Sequence, residues 1–275
     1  MVRKMMPLWV LTLIMLCAGP VLAEQAFYRF GVVPQFEPRK LADIWLPIIA
    51  ELEKRTGFKL AMVGSAEIPE FEKAFFAGDF DFAYMNPYHA MLAGESQGYV
   101  PLIRDHGRNL SGILVVAQDS PVKNITELEG QDVAFPSPNA LGASLLMRAE
   151  LETIHGVTVK PVYVQTHSSV YLNVVLGKTS AGGGVLSTLK GQKADIQDRL
   201  RVLYTTRNMA PHPLTAHPRV PEAHREAVRQ AFLDLASTDE GKALVSRIPM
   251  KQPGIAKLED YQVLKDWGLD KYYVE

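Results

Sequence analysis

One cysteine, Cys17, stands among 275 residues, and it lies near the N-terminus. Beyond it the chain has no thiol for a disulfide, a cysteine nucleophile or a sulfur-bound zinc. Blocks of like charge are missing too. The 29 basic and 30 acidic residues give a formal net charge of −1, and no tract is basic enough to hold nucleic acid. Gly182, Gly183 and Gly184 are consecutive and so lack the GxGxxG spacing of a dinucleotide loop. His212, His217 and His224 are separated by five and seven residues, with Pro213 and Pro218 between them, a spacing that fits no common metal-ligand pair. These absences leave no expected metal and no expected cofactor.

The long apolar run that is present begins the chain. Arg3 and Lys4 precede it, and small residues close it at Val21-Leu22-Ala23. That is the pattern of a secretory signal peptide over residues 1–23, cleaved after Ala23, which places the mature protein in the periplasm. The run from Met5 to Leu16 is shorter than the ~20 residues that span a bilayer. Lipidation at Cys17 is disfavoured because Leu16, before it, is not small. The 252 residues that follow Ala23 carry 27 basic and 30 acidic side chains, enough chain for one large or two modest domains.

Strand-like and helix-like segments then alternate. "YRFGVV" reads as a strand, and Leu41, Ile44, Trp45, Ile48 and Leu52 make an apolar helical stripe. "FKLAMV", "FDFAYMN", "YVPLIRD", "GILVVAQ", "DVAFPS", "VKPVYVQ" and "RLRVLYTT" read as further strands, with Gly182 to Gly184 ending another. Asn124 and Glu127 have the spacing of a capping box. The face of Ala143, Met147, Leu151 and Ile154 predicts a helix that stops at Gly156. After residue 205 no strand is obvious, whereas Glu222 to Ala236 and the tail from Leu258 look helical. Such alternation implies α/β units with mostly parallel sheets and helices on both faces. Polar, Pro- and Gly-rich seams near residues 106–111 and 205–213 divide the chain in three. If both seams join the same two lobes, residues 24–109 and 204–275 form a discontinuous first lobe and residues 110–203 the second.

Several strand-to-helix corners carry candidate chemistry. In "VAFPSPNALGASLLM" the helix start at Asn139, Ala140, Leu141 and Gly142 offers unpaired amides and a positive dipole end, which suit an anion without any basic side chain. The alternative for this corner is a plain loop with Asn139 as helix cap. Ser144 resembles a hydrolase nucleophile, but Leu146 stands where Gly-x-Ser-x-Gly needs its last glycine. In "AYMNPYHA", Tyr84 and Asn86 sit at the C-terminal end of a strand, where α/β sheets open their crevice; a core tyrosine and an Asn-Pro turn are the other reading. His167, Ser168 and Ser169 form a third corner with three side-chain donors, and Gly183 and Gly184 permit close backbone approach to a ligand.

The segments "FDFAYMNPYHA", "DSPVKNITELEGQDVAFPSPNALGAS", "QTHSSVYLNVVLGKTSAGGGV" and "HPLTAHPRVP" together resemble the periplasmic substrate-binding proteins of phosphate, phosphite and phosphonate ABC transporters. The resemblance covers nearly the whole mature chain. It implies a type II periplasmic-binding-protein fold, two lobes closing on a small anion, and no catalysis. It further implies that Tyr84 and Asn86 contribute from the first lobe, with Asn139 to Gly142 and His167 opposite. Phosphonate binders of the family usually carry a Ser-Thr-Ser type run where this chain has Ala140-Leu141-Gly142. Acidic anchors for a ligand amine are not evident, since Gly182 to Gly184 occupy their place. The expected partners are a small anion, phosphonate-like or less charged, and the permease of an ABC transporter, met by a monomer. A periplasmic sensor signalling to a membrane kinase or cyclase is the alternative, and a secreted hydrolase using Ser144 a more remote one.

Overall fold

The computed structural model describes residues 25–248 and 250–274; the segment read as a signal peptide lies outside them. The chain opens with β1 (Phe27–Val32), α1 (Pro38–Thr56), β2 (Lys59–Val63), α2 (Ile68–Phe76), β3 (Phe82–Tyr84), α3 (Pro87–Gln97) and β4 (Val100–Asp105). The stripe on α1 buries Leu41, Ile44, Trp45, Ile48 and Leu52. The helix ends at Gly57 with φ 74°, whose amide donates to Glu53 O. Only glycine adopts that left-handed cap without penalty.

The chain then crosses to a second sheet. There it forms β5 (Gly112–Ala117), a 3-10 turn (Ile125–Leu128), β6 (Asp132–Phe135) and a π-helical turn (Leu141–Leu145) running into α4 (Leu146–Thr153). β7 (Lys160–Tyr163), α5 (His167–Val175), β8 (Ala181–Val185), α6 (Leu186–Lys190), α7 (Ala194–Gln197) and β9 (Leu200–Thr205) follow. A return crossing leads to β10 (Leu214–Ala216), α8 (Glu222–Ser237), α9 (Asp239–Val245), β11 (Pro253–Ile255) and α10 (Glu259–Gln262), then 3-10 turns at Val263–Trp267 and Leu269–Tyr272.

The first sheet has the order β11-β4-β10-β3-β1-β2 and the second β7-β6-β8-β5-β9. Parallel pairing, expected through most of each sheet, is confined to β2-β1-β3 and to β7-β6-β8. β5 and β10, the strands that arrive from the other sheet, run antiparallel to both of their neighbours, and β11 pairs antiparallel with β4 at the edge. The two crossing segments pair with each other, Leu110 and Met209 exchanging amide-to-carbonyl bonds of 2.9 Å in both directions.

β10 and β11, unseen in the sequence, are three residues each, too short to show a period. The triple glycine lies inside β8 rather than at its end. Asn124 does not cap its turn; Glu127 accepts from the Asn124 side chain at 3.0 Å and from the Lys123 amide at 3.1 Å. Ile154 falls outside the buried face of α4 and is 54% exposed.

Candidate functional site

The C-terminal ends of β1, β3 and β8 and the start of the 141–153 helix meet between the two sheets. They enclose a cavity of about 20 Å³ lined by Gln35, Asn86, residues 140–143, His167, Val185 and His212. An outer pocket of about 330 Å³ shares Gln35, Val185 and His212 with it and adds Tyr84, Arg108, Ser111, Ser187, Lys190 and Lys251. Neither lining contains a carboxylate. The inner cavity has room for about one water. The sheets are therefore drawn together around it, and Lys40 Nζ reaches across to Gly191 O at 2.8 Å.

The π-helical start leaves donors over. Ser144 and Leu145 both donate to Ala140 O, at 2.7 and 3.1 Å, and the amides of Leu141, Gly142 and Ala143 find no acceptor among the described residues. This is the expected orphan set of a helix N-terminus. Ala140, not Asn139, is the cap residue, and no side chain caps there. Asn139 is spent elsewhere: its amide donates to Val274 O at 2.7 Å and to Glu72 Oε2 at 3.1 Å, and its oxygen accepts from the Val274 amide at 2.9 Å. The reading of that side chain as helix cap is thereby corrected. Leu141 is buried with Leu145, Leu146, Leu264 and Leu269 in one apolar cluster, and Ala140 packs into the core of the first sheet. Both side chains are thus committed to apolar contacts while their backbone lines the cavity.

Two buried histidines face this cavity. Burial lowers the pKa of His167 to about 4. It lowers that of His212 to about 3, helped by the fields of His89, His167 and Arg108. Both rings are therefore neutral at pH 7. Gln35 Nε2 lies 3.2 Å from His212 Nε2, whose lone pair accepts from it. The His167 Nδ1 atom lies 3.2 Å from Thr188 Oγ1, a hydroxyl that itself donates to Val185 O at 2.8 Å. Tyr84 stacks on His212 with ring centroids 5.5 Å apart, and burial raises its hydroxyl pKa. Asn86 caps α3, accepting from the His89 amide at 2.8 Å, while its Nδ2 donates to Asn139 O at 3.4 Å.

Other candidates lie apart. Ser169 pairs with Thr166, which caps α5, and Ser168 accepts from Gln192 at 3.4 Å; neither lines the cavity. Gly183 and Gly184 approach protein rather than a ligand. A Cβ on Gly183 would collide with the Ala143 carbonyl, and one on Gly184 with the Tyr171 hydroxyl. Ser144 is fully buried, its hydroxyl 3.3 Å from Arg148 Nε, so it cannot be an exposed nucleophile. Gln35, His212 and the basic residues Arg108, Lys190 and Lys251 were not among the sequence candidates for an anion site. They sit in loops or at a helix end, where no periodicity marks them.

The profile of a family described as "ABC transporter, phosphonate, periplasmic substrate-binding protein" matches residues 30–261. Phosphate-import protein PhnD of Mycolicibacterium smegmatis is 23% identical over 175 residues, which are 55% of this chain and 53% of that protein. The chain thus aligns with about half the length of that relative. Among solved structures, a binding protein component of an ABC phosphonate transporter from Pseudomonas aeruginosa superposes with a TM-score of 0.82 at 13% identity, covering 90% of this chain and 87% of its own. PhnD1 from Prochlorococcus marinus, in complex with methylphosphonate, gives 0.80 at 16% identity, covering 90% and 99%. At such identities these structures establish the shared fold of two helix-flanked sheets. Among the described residues no helix is long and apolar enough to cross a membrane.

Proposed function

Because this chain belongs to the family of periplasmic substrate-binding proteins of phosphonate ABC transporters, we propose that it captures a small oxyanion of the phosphonate class between its two sheets and presents it to a membrane permease. The observation that carries this reading is the convergence, in one carboxylate-free cavity, of three unpaired amides (Leu141, Gly142, Ala143) with Gln35, Asn86, His167 and His212. Hydrogen bonds to a charged group are worth roughly 1.5–3 kcal/mol each, so three or four reach the roughly 8 kcal/mol of a micromolar site.

The lobes are residues 24–109 with the end of the chain, and the stretch between; the boundary expected at 203/204 moves to about 206, because β9 (Leu200–Thr205) pairs within the second sheet. Each carries one sheet, and the paired crossings at Leu110 and Met209 are the hinge. Opening admits the anion, and closure brings the helix start of one lobe against Asn86 and His212 of the other. No step makes or breaks a covalent bond. The mature chain follows Ala23 and acts in the periplasm.

A thermal-shift series with methylphosphonate, phosphate, phosphite and sulfate tests the reading. An anion at 100 times its dissociation constant adds about 2.7 kcal/mol of stability, and methylphosphonate is expected to raise the midpoint more than sulfate does. If none of the four moves it, the oxyanion reading fails.

A further inference from the structure

We propose that the outer half of the cleft, between Lys190 and Lys251, is a subsite for a second negative charge, so that the preferred ligand is an oxyanion whose substituent is itself anionic; this rests on the reading of the inner cavity as the oxyanion site. The two cavities adjoin, sharing Gln35, Val185 and His212 in their linings, so a molecule held at the inner site would carry its substituent toward the outer one. Their linings differ in kind. The inner one offers neutral donors, whereas the outer one brings together Arg108, Lys190 and Lys251 with Ser111 and Ser187 and no carboxylate.

Arg108 already pairs with Asp105 at 3.0 Å. Lys190 and Lys251 make no ion pair among the described residues. They also come from opposite sides: Lys190 ends α6 on the second sheet, and Lys251 precedes β11 on the first. Two like charges on facing walls oppose closure, and an anion set between them turns that repulsion into a bridge. Leu110, Val185, Leu186 and Pro211 supply an apolar wall to the same pocket, which suits a short methylene spacer between the two charged ends. A ligand ammonium would meet three cations and no acid there, so an amino substituent is disfavoured.

Titration of the mature protein at low ionic strength with methylphosphonate, phosphonoacetate and 2-aminoethylphosphonate tests this. Phosphonoacetate is expected to bind roughly tenfold tighter than methylphosphonate, the value of one added charge-assisted contact, and 2-aminoethylphosphonate weakest. The K190A/K251A variant should lose roughly that factor more for phosphonoacetate than for methylphosphonate, and K190E/K251E should reverse the order of the two substituted ligands. If methylphosphonate binds but phosphonoacetate binds no tighter, or if 2-aminoethylphosphonate binds best, the subsite is overturned and the oxyanion reading stands. Failure of all three ligands to bind overturns both.

Discussion

His167 and His212 are held neutral by burial, and this has a pH signature. Their folded pKa values, about 4 and about 3, lie below the ordinary value of 6.5. The unfolded chain therefore binds more protons than the folded one between those limits, and stability is lost as pH falls from about 6.5 toward 4. Every tenfold fall in a ring's proton affinity on folding corresponds to about 1.4 kcal/mol. Urea unfolding at pH 7.5 and pH 5 is expected to show a clear loss that the H167Q/H212Q pair reduces; an unchanged loss in that variant would contradict the burial argument. Gly183→Ala pushes a Cβ onto the Ala143 carbonyl, and overpacking of this kind costs typically 1–3 kcal/mol. A midpoint equal to the parent's would refute the close approach of β8 to the helix start. At this scale the sequence revealed the corners but not what each side chain does there. Tyr84, Asn86, His167 and residues 140–142 stand at strand ends, where a crevice opens, and all of them line one cavity or the other. Asn139 has the same placement, yet its polar atoms are consumed by a tail 135 residues away. No local rule reports a partner so distant.

The tail is the element that ties the two sheets together. It starts on the first sheet, where Arg104 of β4 grips Asp260 through Nε at 2.8 Å and Nη2 at 3.1 Å. Its end lies on the second, where Tyr272 O accepts from Arg148 at 2.7 Å and Val274 pairs with Asn139. Between them Leu264 and Leu269, each 1% exposed, join Leu141, Leu145 and Leu146. Glu72 stands beneath, accepting from His89 at 2.9 Å, Asn139 at 3.1 Å and Tyr273 at 3.4 Å. Leu269→Ala is expected to cost 2–5 kcal/mol, measured by chemical denaturation. A loss below about 1 kcal/mol would mean that the cluster collapses without it. The helices α1, α8 and the 141–153 stretch were legible because an apolar stripe at intervals of three and four residues specifies a buried face. The strand-helix alternation likewise announced two α/β units. The antiparallel insertions of β5 and β10 were not legible, since strand direction depends on which sheet the chain has just left.

Across the whole molecule, the two crossings pair at Leu110 and Met209, the hinge of the proposed motion, while the tail and the Lys40 to Gly191 bond add further links between the two sheets. The drawn-together cleft leaves about 20 Å³ at its centre. That volume sets the order of events in time. If the cleft takes a phosphonate, as proposed, encounter must follow separation of the sheets, because such a space does not admit one, and the closed form would act as a competitor for its own ligand. Apparent affinity is then the intrinsic affinity reduced by the open fraction. With rising methylphosphonate concentration the observed association rate should level off at the rate of opening rather than climb without limit. Asn139→Ala, which removes the bonds to Val274 and Glu72, should raise that plateau and the on-rate together. A rate that stays linear in ligand, or a plateau unmoved by the substitution, would show that the tail does not govern entry. On that reading, a few hydrogen bonds far from the cavity would set how quickly the anion is taken up.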